Sequence, residues 1–139
     1  MAKFGKPVVR FSPNRNYVFS HGPWMTNVNR GRINNYGFVN DQDYDPTDTR
    51  PLLAVIGDSF IEAAMIPCPH TLHGRLSAQQ NGHRRVYSFA ANGSSMLDYL
   101  HYATYARQRF GAEWLVITVI GNDFDDMLVR YIQQPLITT

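Results

Sequence analysis

Three short apolar runs constrain this chain more than any other feature. Each stops abruptly on small polar residues, and helix-length segments separate them. The first, LLAVIG at 52–57, is continuous rather than alternating, as in a strand covered on both faces. The second, RRVYSFAANG at 84–93, ends in a Gly, and the third, EWLVITVIGND at 113–123, is strongly β-branched. Between the first two lies TLHGRLSAQQNG, where Leu72 and Leu76 stand one helical turn apart and Gly82 supplies a stop. Between the second and third lies SSMLDYLHYATYARQRFG. Here Met96, Leu97, Leu100 and Ala103 form one ridge, Tyr99, Ala106 and Phe110 form its neighbour, and Gly111 closes the helix. A further helix is expected over DFDDMLVRYIQQ, ended by Pro135. Strands alternating with helices predict βαβ units, a parallel sheet and an α/β sandwich.

Residues 1–50 read differently. They are rich in Pro, Asn, Arg, Gly and aromatics, with little helical period. PVVRF and NYVFS suit short strands, WMTNVNRGRINNYGFVND suits a hairpin with NRGR at or near its turn, and DQDYDPTDTRP reads as an acidic connector. The expected organisation is an extension over 1–50 packed on an α/β domain over 51–139. The chain has 139 residues, 44% of them apolar and 17% charged, which fits one globular domain and excludes disorder. A net charge of +2 without any run of basic residues gives no reason to expect nucleic acid as a partner. A single cysteine, Cys68, excludes an intrachain disulfide and reads as a small apolar filler between two prolines. No apolar stretch is long enough to span a membrane and no signal peptide is recognisable, so the chain as written is expected to be cytoplasmic.

The chemistry sits at the strand ends. Parallel strands place their carboxyl ends on one edge of a sheet, where functional loops gather. Ser59, Gly93 and Asn122 would therefore converge despite their separation in sequence. A serine at a strand-to-helix turn offers a nucleophile, a Gly offers an unobstructed backbone N–H, and an Asn offers a carboxamide donor. Together they suit acyl transfer, with the Ser59 amide as a further donor to the oxyanion. Asp58 is expected to hold the turn through its backbone rather than to react.

This constellation resembles the SGNH hydrolase superfamily, the GDSL esterases and lipases. VIGDSF is similar to its first block with the nucleophile Ser59, NGSS to its second with the oxyanion residue Gly93, and IGNDFDD to its third with the oxyanion residue Asn122. The resemblance covers roughly residues 34–130. It implies a flavodoxin-like three-layer α/β/α fold, hydrolysis of carboxylic or O-acetyl esters of a small molecule or carbohydrate through an acyl-serine, and no metal or cofactor. The chain departs from the pattern at Ser88, Ala90 and Ile120, where the family usually has Asn, Gly and Gly.

A larger departure concerns the base. A serine hydroxyl is a poor nucleophile until a base takes its proton. The family's Asp-x-x-His block follows the third block, but no His follows Asn122 here. The string DYLH, Asp98 to His101, lies inside the long helix, where Ser95 and Asp98 instead form a capping-box pattern. His21, His70, His73 and His83 read as surface residues, and no pair has metal-ligand spacing with evident partners. Asp123, Asp125 and Asp126 read as a solvated helix start. The expectation is therefore the front part of a serine esterase, incomplete at its C-terminal side and weakly active or inactive as it stands. The alternatives are a non-catalytic binding or assembly module on the same scaffold, a swapped oligomer in which a partner chain completes the site, and a flavodoxin-like domain binding a phosphate ligand at its strand-end loops, for which the sequence carries no Gly-rich fingerprint. An incomplete sheet would expose an edge suited to homo-oligomer contacts.

Overall fold

A computed structural model describes residues 8–121. In chain order its elements are β1 (Arg15–His21), β2 (Asn27–Ile33), β3 (Leu52–Gly57), α1 (Ser59–Glu62), α2 (Leu72–Gln79), β4 (Arg85–Ala90), α3 (Met96–Phe110) and β5 (Ala112–Ile117). Strands β3, β4 and β5 form a parallel sheet in the order β4-β3-β5. The three apolar runs thus become its three strands, and the fold is a small α/β one. The third run is shorter than expected: β5 ends at Ile117, and residues 118–120 have no regular structure. The segments expected as a helix over 123–134 and as a carboxamide at Asn122 lie outside the described residues.

Alternate residues of the strands face opposite ways. Leu52, Ala54, Ile56, Tyr87 and Phe89 belong to one buried cluster with Tyr99, Tyr102, Ala106 and Phe110 of α3. Leu53, Val55, Val86 and Ala90 belong to another with Ile61 and Leu76. On α3 only the tyrosine-bearing ridge is buried, while Leu97 and Leu100 of the other ridge are exposed. The α3 capping box forms as the sequence predicts: Asp98 Oδ2 accepts from the Ser95 amide at 2.8 Å and from its hydroxyl at 3.0 Å. At the other end Gly111 takes the left-handed cap conformation, φ 68°.

The segment before β3 contributes to the first cluster through Phe38 and Tyr44. Strand β4 lies at the edge of the sheet, so its outward N–H and C=O groups need partners. Side chains supply them instead of another strand. The Tyr44 hydroxyl accepts from Ser88 N at 3.0 Å and donates to Ser88 O at 2.6 Å, and Gln42 Nε2 donates to Val86 O at 2.7 Å. The Tyr44 ring stacks on Tyr87 at 4.0 Å between centroids, with planes 7° apart. At the amino end of β4, buried Arg85 donates to the carbonyls of Arg50, Asp45 and Phe110, joining the connector to the end of α3.

Strands β1 and β2 form a separate antiparallel ribbon. Its turn spans Gly22–Thr26, not the expected Asn29–Arg32, which lies inside β2. Residues 8–11 of the run expected as a first strand carry no regular structure.

Candidate functional site

The register of the sheet decides which residues meet. Gly57 pairs with Ala90 and Ile56 with Ile117, so all three strands finish level with one another. Ser59 and the Asn92–Gly93 turn consequently lie at one carboxyl edge. The structure brings the first two predicted groups to the same edge. Asn122, the third, lies outside the described residues, immediately after Gly121.

Ser59 opens α1 and is half-buried. The turn that presents it is organised by Asp58, which is buried and caps the helix: its Oδ1 accepts from Phe60 N at 3.0 Å. The Asp58 carbonyl accepts from Ile61 N at 3.1 Å and Glu62 N at 2.9 Å. This is the backbone-holding role expected of Asp58. Gly57 is a glycine because a Cβ there would overlap the Ile61 side chain. The strand can therefore pass straight into a tight turn under α1. The helix closes after one turn at Ala63, which is left-handed with φ 49°.

Gly93 is exposed, has φ +74°, and has open space where a side chain would project. Both features suit a residue that presents backbone to a ligand. Its turn is tied to α1 by a residue that sequence reasoning did not select. Glu62 is buried, and its Oε2 accepts from Asn92 N at 2.5 Å. Burial raises the Glu62 pKa, the Asn92 amide opposes that shift, and the nearby Asp58 charge adds to it. One carboxylate thus couples the helix of Ser59 to the turn of Gly93. A hint was available in FIEAAM, where an acid is set among apolar residues three positions after the serine. Ser88, where the SGNH pattern has Asn, is buried at the sealed edge, bonded to Tyr44 and to Asn40 Nδ2 at 3.1 Å.

Among the described residues no histidine hydrogen-bonds to the Ser59 hydroxyl. His101 lies half-buried along α3, whose capping box engages Asp98. His21, His70 and His83 are exposed. His73, expected at the surface, is instead 1% exposed and is the buried residue of α2, while Leu72 turns out to solvent. Gly74 lets this happen: a Cβ there would overlap the Cys68 carbonyl, so only a glycine lets the preceding turn close onto α2. Thr71 caps the helix, accepting from Gly74 N at 3.0 Å. His73 Nε2 lies 3.7 Å from Cys68 Sγ, and Nδ1 finds no partner of acceptable geometry. Burial pushes the His73 pKa down to about 4, against an opposing pull from the Ile61 backbone. Burial also raises the Cys68 thiol, so the pair is neutral at pH 7. Both residues line a cavity of about 60 Å³ shared with Tyr17, Asn29, Asn40 and Glu62; Ser59 and Gly93 do not line it. Among the described residues no group of three or more His, Cys, Asp or Glu side chains could hold a metal ion. No described helix is long and apolar enough to cross a membrane.

Comparison with protein-family models, curated proteins and solved structures finds no match for this chain.

Proposed function

We propose that residues 34–130 are the front part of a serine ester hydrolase on an SGNH-like, flavodoxin-type three-layer scaffold. Ser59 is its nucleophile, and the Ser59 and Gly93 amides and the Asn122 carboxamide are its oxyanion donors. The observation that carries this reading is the shared edge, where Ser59 and the Asn92–Gly93 turn follow neighbouring parallel strands and are bridged by the Glu62–Asn92 bond. In the reaction Ser59 Oγ attacks the ester carbonyl and loses its proton to a base. The oxygen gains negative charge against the three donors, and the alcohol leaves with a proton. Loss of one donor of this kind raises a barrier by about 2.7–4 kcal/mol. Residues 8–121 offer Ser59 no histidine, so the base has to come from elsewhere, and this chain by itself is weakly active or inactive.

The test is covalent. A fluorophosphonate probe followed by mass spectrometry is expected to label Ser59, slowly, with labelling abolished in Ser59→Ala. Added imidazole, an external base, is expected to speed labelling. Absence of adduct at Ser59 in a longer version of the chain that carries an Asp-x-x-His block rejects the hydrolase reading. That result would favour the second reading, a non-catalytic binding or assembly module, which the lack of a histidine bonded to Ser59 among the described residues supports.

A further inference from the structure

The charge of this chain is divided along its length. Residues 1–40 carry six of the thirteen Lys and Arg and none of the eleven Asp and Glu, so the small net charge conceals a cationic first part and an acidic remainder. The β1–β2 ribbon lies in the cationic part. Its inner face is anchored: Asn29 is buried and donates to Ala64 O at 2.8 Å, and Tyr17 lines the cavity beside it. Its outer face follows from the pairing, which sets Val18 across from Arg30 and Ser20 across from Val28. Val18 is 52% exposed and Val28 45%. At the tip Trp24 is 95% exposed and Met25 60%. Both adopt left-handed backbone, with φ 64° and 54°, a conformation that bulky residues rarely take.

An apolar tip, an apolar stripe and an adjacent arginine on one outward face form an amphipathic surface. Arg30 makes no ion pair among the described residues, while Arg32 is paired with Asp43 at 2.6 Å. Between Ser20 and Asn29 the only titratable side chain is His21. A nucleic-acid ribbon would place cations at the point of contact. Here the point of contact is Trp and Met, and the cationic charge stands behind it. Tryptophan at an apolar–polar boundary, backed by basic residues, matches the interface of an anionic bilayer.

We propose that the outer face of the β1–β2 ribbon docks on an anionic lipid surface, with Trp24 and Met25 seated among the headgroups and Arg30 against their phosphates. The contact is made by the ribbon's surface, where Arg30 is the cation left after Asp43 neutralises its neighbour Arg32. The esterase reading is not required.

The test uses the whole chain with phosphatidylcholine vesicles and with mixed phosphatidylcholine–phosphatidylserine vesicles. In a Trp114→Phe background, Trp24 is the sole tryptophan. Its emission is expected to shift to the blue with the anionic vesicles and to be quenched by brominated acyl chains. Co-sedimentation is expected to fall about tenfold in Trp24→Ser, where an aromatic side chain is lost from the contact. It is expected to fall about fivefold in Arg30→Gln and to weaken with salt. Three results would overturn the proposal. One is equal binding to both vesicle types, or none. Another is sedimentation unchanged by Trp24→Ser, with that variant's circular dichroism and melting temperature confirming its fold. The third is a Trp24 blue shift that arises without lipid, whether from self-association with increasing protein concentration or from an added mixed-sequence oligonucleotide.

Discussion

Removal of one buried oxygen, in Tyr44→Phe, tests how the sheet edge is closed. The ring stays, and with it the 4.0 Å stack on Tyr87 and the contacts with Phe38 and Phe110. The hydroxyl goes, and with it the acceptor for Ser88 N, the donor to Ser88 O, and contacts at 3.2 Å with Asn40 Nδ2 and Ser88 Oγ. A buried group left without its partner costs about 1–3 kcal/mol. The Ser88 amide and carbonyl are two such groups, so the expected loss is about 3 kcal/mol, at the lower part of the summed range because Asn40 keeps Ser88 Oγ. Ser88→Ala is the control. It deletes only the side-chain oxygen, Asn40 keeps Tyr44, and the expected cost is about 1 kcal/mol. Urea unfolding monitored by far-UV circular dichroism measures both, with the slope m unchanged if only stability moves. Native-state hydrogen exchange should also accelerate at the Ser88 amide in Tyr44→Phe, and not in Ser88→Ala. A Tyr44→Phe variant within about 0.5 kcal/mol of the parent, or no more destabilised than Ser88→Ala, would refute the claim that this hydroxyl replaces a strand.

Other residues give shorter tests. Glu62→Ala frees the Asn92–Gly93 turn from α1, and is expected to cost about 2 kcal/mol and to slow fluorophosphonate labelling of Ser59. Glu62→Gln, which keeps an acceptor for Asn92, should restore most of both, and equal behaviour of the two variants contradicts the coupling role. His73 is held neutral with its pKa depressed to about 4, from an ordinary value of 6.5. The unfolded chain therefore binds this proton first as the pH falls. Stability is full above 6.5 and is lost progressively down to about 4, by up to about 3 kcal/mol. His73→Gln should flatten that acid limb in urea midpoints taken at both ends of the window. An unchanged limb assigns the acid sensitivity to other groups.

What the sequence made legible was local. Three apolar runs became three strands, Ser95 and Asp98 became a capping box, and Gly111 became a helix stop, because each depends on neighbours within a few positions. The misplaced hairpin turn illustrates the opposite case. Asn29–Arg32 has the composition of a turn, but Gly31 sits across from Tyr17, and a Cβ there would overlap the tyrosine ring. That glycine makes room for a cross-strand aromatic, whereas the chain reverses at Gly22–Thr26. His73 was missed for a similar reason. The period of α2 pointed to Leu72, while the fit of Gly74 against Cys68 turned the histidine inward. The sealing of β4 by Tyr44 joins residues 44 positions apart through a side chain and a backbone, and hydrophobic period carries no trace of such a bond.

The candidate site inherits its rigidity unequally from these strands. Ser59 follows β3, the central strand, all of whose residues are buried. Gly93 follows β4, whose outer edge is closed by Tyr44 and Gln42. Asn122 follows β5, where Trp114, Val116 and Ile117 are exposed and the Arg84 guanidinium, 4.0 Å from the Trp114 ring centre, is a partial cover. Opening free energy tracks buried contact and closed backbone bonds, so amide protection should decrease from β3 to β4 to β5. Two of the three groups proposed to hold the oxyanion site would then follow the better protected strands, and Asn122 would follow the least protected one. Hydrogen exchange read strand by strand measures this order, and β5 amides protected as strongly as those of β3 would overturn it. If the order holds, a ligand that engages Asn122 together with Ser59 and Gly93 should protect β5 most, because the least ordered strand has the most to gain from being pinned at its end.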